Sequence, residues 1–456
     1  MQGSSPAETI RCILPLSNLL RPMVNAIMKA VHSSSDSHAP RKMNNRTPIT
    51  NHDTRPITRR AWLALAGGAL AAGSAAGMPR RTPRYDILIR NGEVHDPGRG
   101  LRRQADVAIA DGRIAAIETA ISPDSAVDVI DAKGLHVTPG LVDLHTHIHT
   151  GMGIGIDADP LAARSGTTTM VDAGTFGFNQ IRGFRRFIVE PARTRIYGFV
   201  YLYPNNRNPD IDPVSYVERD MPRTGEAAVA NSDIIVGVKF QVGSNMNGRY
   251  SLPFLKIARR LCDRYKLKLM AHISFAPPST DEVMELMRPG DVVTHCYNTH
   301  TLGILDGNGK VKASVRDARQ RGVLFDIGHG AGSFNFDIAR KALDDGFPPD
   351  SISTDVYTLN INGPVYDMPT MMSKMLHLGM NLEDVLRTST VIPAQVVGRI
   401  DMLGTLQPGA PADLALLEIL EGQFQLTDAQ RNTVTAGKRL VSRLTICRGK
   451  RLMAPL

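Results

Sequence analysis

A chain of 456 residues is longer than one ordinary compact domain, and with 42% apolar and 21% charged residues it can bury a full core. Its formal charge of +9 suggests nucleic acid only until the charge is located: the first 84 residues hold 12 Lys and Arg against 3 Asp and Glu, which is the whole excess. The remainder is neutral, so nothing electrostatic recommends DNA, RNA or an anionic membrane as partner, and a small molecule is expected instead.

The first element lies at residues 58–77. Arg59 and Arg60 precede a modest Ala/Leu/Gly stretch and then small residues, the three regions of a twin-arginine signal. The stretch is short and Gly-rich for a membrane helix, and no later segment approaches a span, so no stable membrane association is expected after cleavage. Ser74 and Ala76 satisfy the small-x-small rule for cleavage after Ala76. Residues 1–42 show no periodicity, and Met43 would begin a signal of normal length. Residues 1–84 are therefore read as a leader. The expected location is the periplasm or the exterior, reached as a folded protein. A disordered tail on a cytoplasmic protein is the alternative.

Residues 85–138 come next. Tyr85–Ile89, Ala105–Ile109 and Arg113–Ile117 are short, β-rich and separated by Asn91-Gly92 and Asp111-Gly112, which predicts a small antiparallel sheet. Residues 401–456 repeat the style in Ala412–Leu417 and in Val434–Leu452, which is broken by Gly437 and Gly449. Both ends of the mature chain are expected to build one small flanking β-sandwich. Between them, residues 139–400 alternate apolar runs with helical stretches. The candidate strands are Leu141–His147, Thr167–Asp172, Arg195–Tyr201, Ile235–Phe240, Lys268–His272, Asp291–His295, Val323–Ile327 and Ser351–Asp355. Such alternation implies a parallel sheet, and this length matches the ~250 residues of a (β/α)8 TIM barrel. A doubly wound open sheet would alternate in the same way, and periodicity alone leaves it open. Cys12 belongs to the leader, while Cys262, Cys296 and Cys447 show no paired spacing that would read as a disulfide framework.

Polar residues at the strand ends favour the barrel. Strand one ends His145-Thr146-His147, strand four ends near Lys239, strand five at His272, strand six at His295 and strand eight at Asp355. In a parallel barrel these ends converge on one face, where active sites are built. Side chains on a strand alternate, so His145 and His147 point the same way and form half a site for a borderline divalent ion such as Zn2+. Lys239, inside the apolar run Val236–Phe240, is costly to bury as an ammonium; the neutral amine can take up CO2 as a carbamate able to bridge two cations. Cys296 follows a proposed ligand but points to the opposite face, so a buried apolar role is expected for it. His329 lies at the end of strand seven and is a candidate to bind substrate.

The run Pro139-Gly140-Leu141-Val142-Asp143-Leu144-His145-Thr146-His147 resembles the signature of the amidohydrolase superfamily, and Gly166-Thr167-Thr168-Thr169 with Asp172 is similar to its second strand. The resemblance covers nearly all of residues 85–450. It implies that His145 and His147 bind the more buried metal with Asp355, that His272 and His295 bind the second, and that carboxylated Lys239 bridges both. Ile327-Gly328-His329-Gly330, Ser333-Phe334 and Thr354-Asp355-Val356 resemble the amidohydrolase/deacetylase branch, often called dihydroorotase-like. That branch implies deacetylation of an α-acyloxy carboxylate such as an acetylated mandelate. Asp355 would then be the catalytic acid/base. Relatives with dihydroorotase activity carry an arginine two residues after the His-x-His, where this chain has His149, so that narrower label is not adopted. An N-acyl amino acid or a cyclic amide is the alternative substrate. A mononuclear deaminase would need a Glu near the strand-five histidine, whereas Ser274, Phe275 and Ala276 follow His272. Metal identity and assembly into homo-oligomers are left open by the sequence.

Overall fold

The computed structural model describes residues 83–202 and 213–453. The proposed leader, with Arg59 and Arg60, lies outside the described residues. The described residues begin with β1 (Tyr85–Asp96), β2 (Leu101–Ala110), β3 (Arg113–Glu118), β4 (Ala126–Asp131) and β5 (His136–Pro139). Asp111 and Gly112, both at positive φ, form the two-residue connection between β2 and β3, the geometry that matches strand twist in a tight hairpin. Gly92 is required on β1 for a different reason: a Cβ there would stand 2.4 Å from Val137, so only glycine lets β5 approach.

The other end of the chain supplies β13 (Leu414–Thr427), β14 (Thr433–Cys447) and β15 (Lys450–Arg451). All eight strands form one mixed sheet in the order β15-β14-β13-β5-β1-β2-β3, with β4 also on β1. The expected sandwich is therefore a single hydrogen-bonded sheet. The reason is β5, which pairs parallel to β1 through Glu93 and Val94 and antiparallel to β13 through residues 136–139. Ile89, Val94, Val107, Val137, Leu414 and Ile446 fill its apolar core.

The central region holds a second, seven-stranded sheet, parallel throughout and in sequence order. Its strands are β6 (Leu141–Thr146), β7 (Thr167–Gly177), β8 (Arg195–Tyr201), β9 (Ile235–Val242), β10 (Lys268–Ile273), β11 (Val292–Thr294) and β12 (Leu324–Asp326). Helices lie between successive strands. In helix Ser251–Tyr265, the apolar residues Phe254, Leu255, Ile257, Ala258, Leu261 and Cys262 recur at helical spacing and are buried, while helix Thr280–Leu286 starts on a Ser279/Glu282 capping box. At one end of the sheet, Leu144, Val171, Phe199, Met270 and Val292 pack with Ala394, Val396 and Val397 of helix Val391–Val397. No helix among the described residues is long and apolar enough to cross a membrane.

The eighth expected strand, Ser351–Asp355, does not form a ladder. It touches both edges of the curled sheet through single parallel bridges, Ser351 to Asp326 and Val356 to Thr146. Further backbone bonds run from Gly330 N to Thr354 O (3.0 Å) and from His147 N to Val356 O (3.0 Å). Regular pairing is broken at Asp355, whose φ of 50° turns the chain out of the extended region. The segment Ser351-Ile352-Ser353-Thr354-Asp355 contains no glycine, asparagine or proline that would signal that turn.

Candidate active site

The ends of these strands bring six of the expected residues together. His145 and His147 lie on the same side of the first strand's end, with ring centroids 5.7 Å apart. His295 stands 5.1 Å from His145 and 4.2 Å from His272 by ring centroid. The Lys239 ammonium donates to His145 Nε2 at 3.0 Å. Asp355 places Oδ1 3.0 Å from His147 Nε2 and 3.4 Å from His145 Nε2. One ligand atom each from His145, His295 and Asp355 fall within 4.8 Å of one another, and all three residues are buried.

A layer of neutral donors and acceptors behind these residues fixes how each ring faces. His145 Nδ1 meets Thr294 Oγ1 at 2.8 Å, and that hydroxyl donates onward to Asp326 Oδ2 at 2.7 Å. His147 Nδ1 meets Thr175 Oγ1 at 2.7 Å, and His295 Nδ1 donates to Gly328 O at 2.6 Å. Each Nδ1 proton is thereby used outward, which leaves the Nε2 lone pair facing inward, as metal-binding imidazoles require. Asp172 accepts from Ile148 N and Thr175 N and so holds the backbone around His147.

The charges inside favour a cation. Burial is the main cause that holds His145, His272 and His295 well below the ordinary imidazole pKa, so they are neutral. Burial also brings Lys239 down to about 8. Asp355 Oδ1 is buried without a hydrogen-bond partner although it faces two imidazole nitrogens. A carboxylate oxygen opposed by imidazole lone pairs, of which only that of His145 receives a donor from Lys239, is a surplus of acceptors that a divalent ion resolves. His295 at φ 71° and Asp355 at φ 50° hold left-handed conformations uncommon for such residues, strain of ~1–3 kcal/mol each that clusters at functional sites. The donor set therefore fits divalent metal.

In front of these groups lies a cavity of about 520 Å³, the size of a small-molecule site, whose wall includes Met152, Ile154, Tyr201, Gln241, Ser333 and Tyr357. Gln241 follows Lys239 by two positions on β9 and shares its side, a signal available in the sequence but not used there. Thr175, Thr294 and Asp326 were also not anticipated, because their role lies in holding ligands, and their partners come from other strands.

His329 departs from its expected role. It is fully buried and does not line the cavity; Nδ1 donates to Gly330 O (2.8 Å), Nε2 accepts from Lys374 (2.8 Å), and the ring stacks on Phe334. Both nitrogens are committed within the protein. Tyr297 and Asn298 likewise serve backbone, donating to Phe347 O and to His295 O, whereas Tyr357 is on the cavity wall. His149 packs against Phe184. Cys296 is buried with its thiol pKa pushed well up by burial, in keeping with an apolar role.

Comparisons with known proteins agree with this geometry. The model of the Amidohydrolase family matches residues 136–452. A deacetylase of Agrobacterium fabrum is 36% identical over 380 residues, covering 81% of this chain and 91% of its own length. A solved structure described as an adenine deaminase superposes with a TM-score of 0.73 at 34% identity, covering 80% of this chain and 99% of the other. Another, described as a dihydroorotase, gives a TM-score of 0.72 at 32% identity over 81% and 99% of the two chains.

Proposed function

Since the chain belongs to the amidohydrolase family and is a hydrolase, we propose that it removes an acyl group from an α-acyloxy carboxylate. The observation that carries the reading is the convergence of four histidines, one aspartate and a lysine on one cavity, together with the deacetylase name of the Agrobacterium fabrum relative. In this proposal the parallel strands form a (β/α)8 barrel closed through residues 351–356, an arrangement supported by the bridges to both edges.

The residues that would hold metal are His145, His147 and Asp355 for one ion and His272 and His295 for another, with Lys239 as a carbamate between them; Zn2+ suits this donor set. Divalent ions there supply Lewis acidity and acidify a water. The chain's own contribution is orientation and proton transfer. Asp355 accepts the proton of the attacking water on its carboxylate and returns it to the leaving oxygen as the acyl–oxygen bond breaks. Thr175 and Thr294 keep His147 and His145 facing inward throughout. Ser333 and Tyr357 on the wall are neutral donors available to the substrate carboxylate.

An N-acyl amino acid or cyclic amide is the second reading. It is favoured by one observation: a solved relative described as a dihydroorotase is 32% identical and covers 81% of this chain. Initial rates of the Zn2+-loaded enzyme on matched acetyl esters and acetamides of both mandelate enantiomers, with dihydroorotate and adenine beside them, decide between the readings. Selective turnover of one ester enantiomer is expected. Turnover confined to amides, the cyclic imide or adenine would move the substrate class while leaving the site in place. Export by the twin-arginine route is a separate proposal. It predicts a periplasmic protein that lacks Trp62 and is retained in the cytoplasm when Arg59 and Arg60 become Lys.

A further inference from the structure

A second cluster of metal-ligating side chains lies in the flanking sheet and shares no residue with the active site. Glu93 and His95 are two positions apart on β1, hence on one face, and the register sets His136 of β5 directly beside Glu93. Three atoms form a triangle: His95 Nε2 to His136 Nδ1 is 3.0 Å, His136 Nδ1 to Glu93 Oε2 is 3.2 Å, and His95 Nε2 to Glu93 Oε2 is 3.5 Å. Ligand atoms ~2.0–2.1 Å from a divalent ion stand about 3.0 Å apart at a right angle and about 3.4 Å apart at the tetrahedral angle. The triangle thus has the dimensions of one face of a coordination polyhedron.

The surroundings prepare it. The Arg102 guanidinium occupies the other carboxylate oxygen, Oε1 of Glu93, at 2.8 Å, which leaves Oε2 directed at the imidazoles. His95 is 1% exposed and its Nδ1 has no hydrogen-bond partner. Glu383 Oε2, from helix Leu382–Ser389, lies 3.8 Å from that Nδ1, an outer carboxylate placed to keep the proton there and the Nε2 lone pair inward. Burial holds both imidazoles below their usual pKa, in the neutral form that ligates. One proton on His136 Nδ1 cannot serve both His95 Nε2 and Glu93 Oε2 well, so an acceptor is left over. Glu93 and His136 keep some exposure, giving an ion a way in from solvent.

We propose that Glu93, His95 and His136 bind one first-row divalent cation, of the Zn2+ or Ni2+ class, at the seam between β1 and β5, with water completing its coordination. The ion would link the two strands that join the ends of the chain and, through Glu383, the neighbouring helix. The proposal is independent of the substrate assignment.

The test uses the full chain, stripped by chelator, dialysed against Zn2+ and assayed for ions per chain by plasma mass spectrometry. His95→Ala/His136→Ala is expected to hold one ion fewer than wild type with unchanged turnover. His136→Gln, at a partly exposed position, carries the test if the double variant does not fold. In a His272→Ala background, Co2+ held by His145, His147 and Asp355 would still absorb, and His136→Gln is expected to remove one further absorption component. An unchanged ion count in His136→Gln, or a Co2+ spectrum indifferent to it, overturns the proposal.

Discussion

Asp355 combines an unpartnered buried oxygen, a left-handed backbone and contact distance to two imidazoles, so its replacement separates chemistry from fold. Asparagine tolerates positive φ and keeps the volume. Asp355→Asn is expected to lower kcat by ~10²–10⁴-fold while the melting temperature stays close to wild type, since only the proton carrier and a ligand charge are lost. Wild-type rates in this variant would remove Asp355 from the mechanism. For Lys239→Ala, the expected result is loss of metal content and activity, with part of each restored by added short-chain carboxylates that stand in for the carbamate. Full metal occupancy without Lys239 would count against the bridging role. The candidate ligands were legible in the sequence as residues that would converge, because strand side chains alternate and parallel strands end on one face. The fate of His329 was not: its position at a strand end matched a substrate group, but Lys374, 45 residues later in the chain, captures its Nε2.

At the scale of elements, the connection after β12 shows what the site demands of backbone. Gly328 has φ +48°, and a Cβ there would stand 2.9 Å from His145 Nδ1 and 2.4 Å from Thr294 Oγ1. Gly328→Ala is expected to lower stability by ~1–3 kcal/mol and to reduce metal affinity, because the displaced groups are those that aim His145. Chemical denaturation and metal titration read the two effects separately; an alanine variant with both unchanged would show that the loop can move aside. Turn signals such as Asp111-Gly112 gave the β2–β3 hairpin from the sequence, since positive φ at both positions is a local requirement. The bridging role of β5 had no such signal. A four-residue strand is defined by which partners reach its two edges, and those partners, residues 93–94 in β1 and 414–417 in β13, are at least 320 residues apart.

The whole molecule responds to pH through its buried amines. Lys374 is enclosed beside His329 and Phe334, and burial brings its pKa from 10.5 down to about 7. A base depressed on folding binds fewer protons in the native state than in the unfolded one, so stability rises with pH between about 7 and 10.5 and the penalty is fully present below that window. Lys374→Met should therefore be more stable than wild type at neutral pH, by an amount on the order of a few kcal/mol that shrinks as the pH approaches the unfolded pKa. Parallel pH–stability curves for the two proteins would show instead that Lys374 keeps its ordinary pKa in the folded protein. The sequence by itself determined the alternating strands and helices, the neutral body and the set of candidate ligands, because hydrophobic period and strand alternation are local properties of the chain. Only the tertiary structure decided that the two ends share one sheet, that residues 351–356 meet both edges without forming a ladder, and that His329 turns to a lysine, because each depends on which distant group fills the adjacent space and satisfies the exposed hydrogen-bonding atoms.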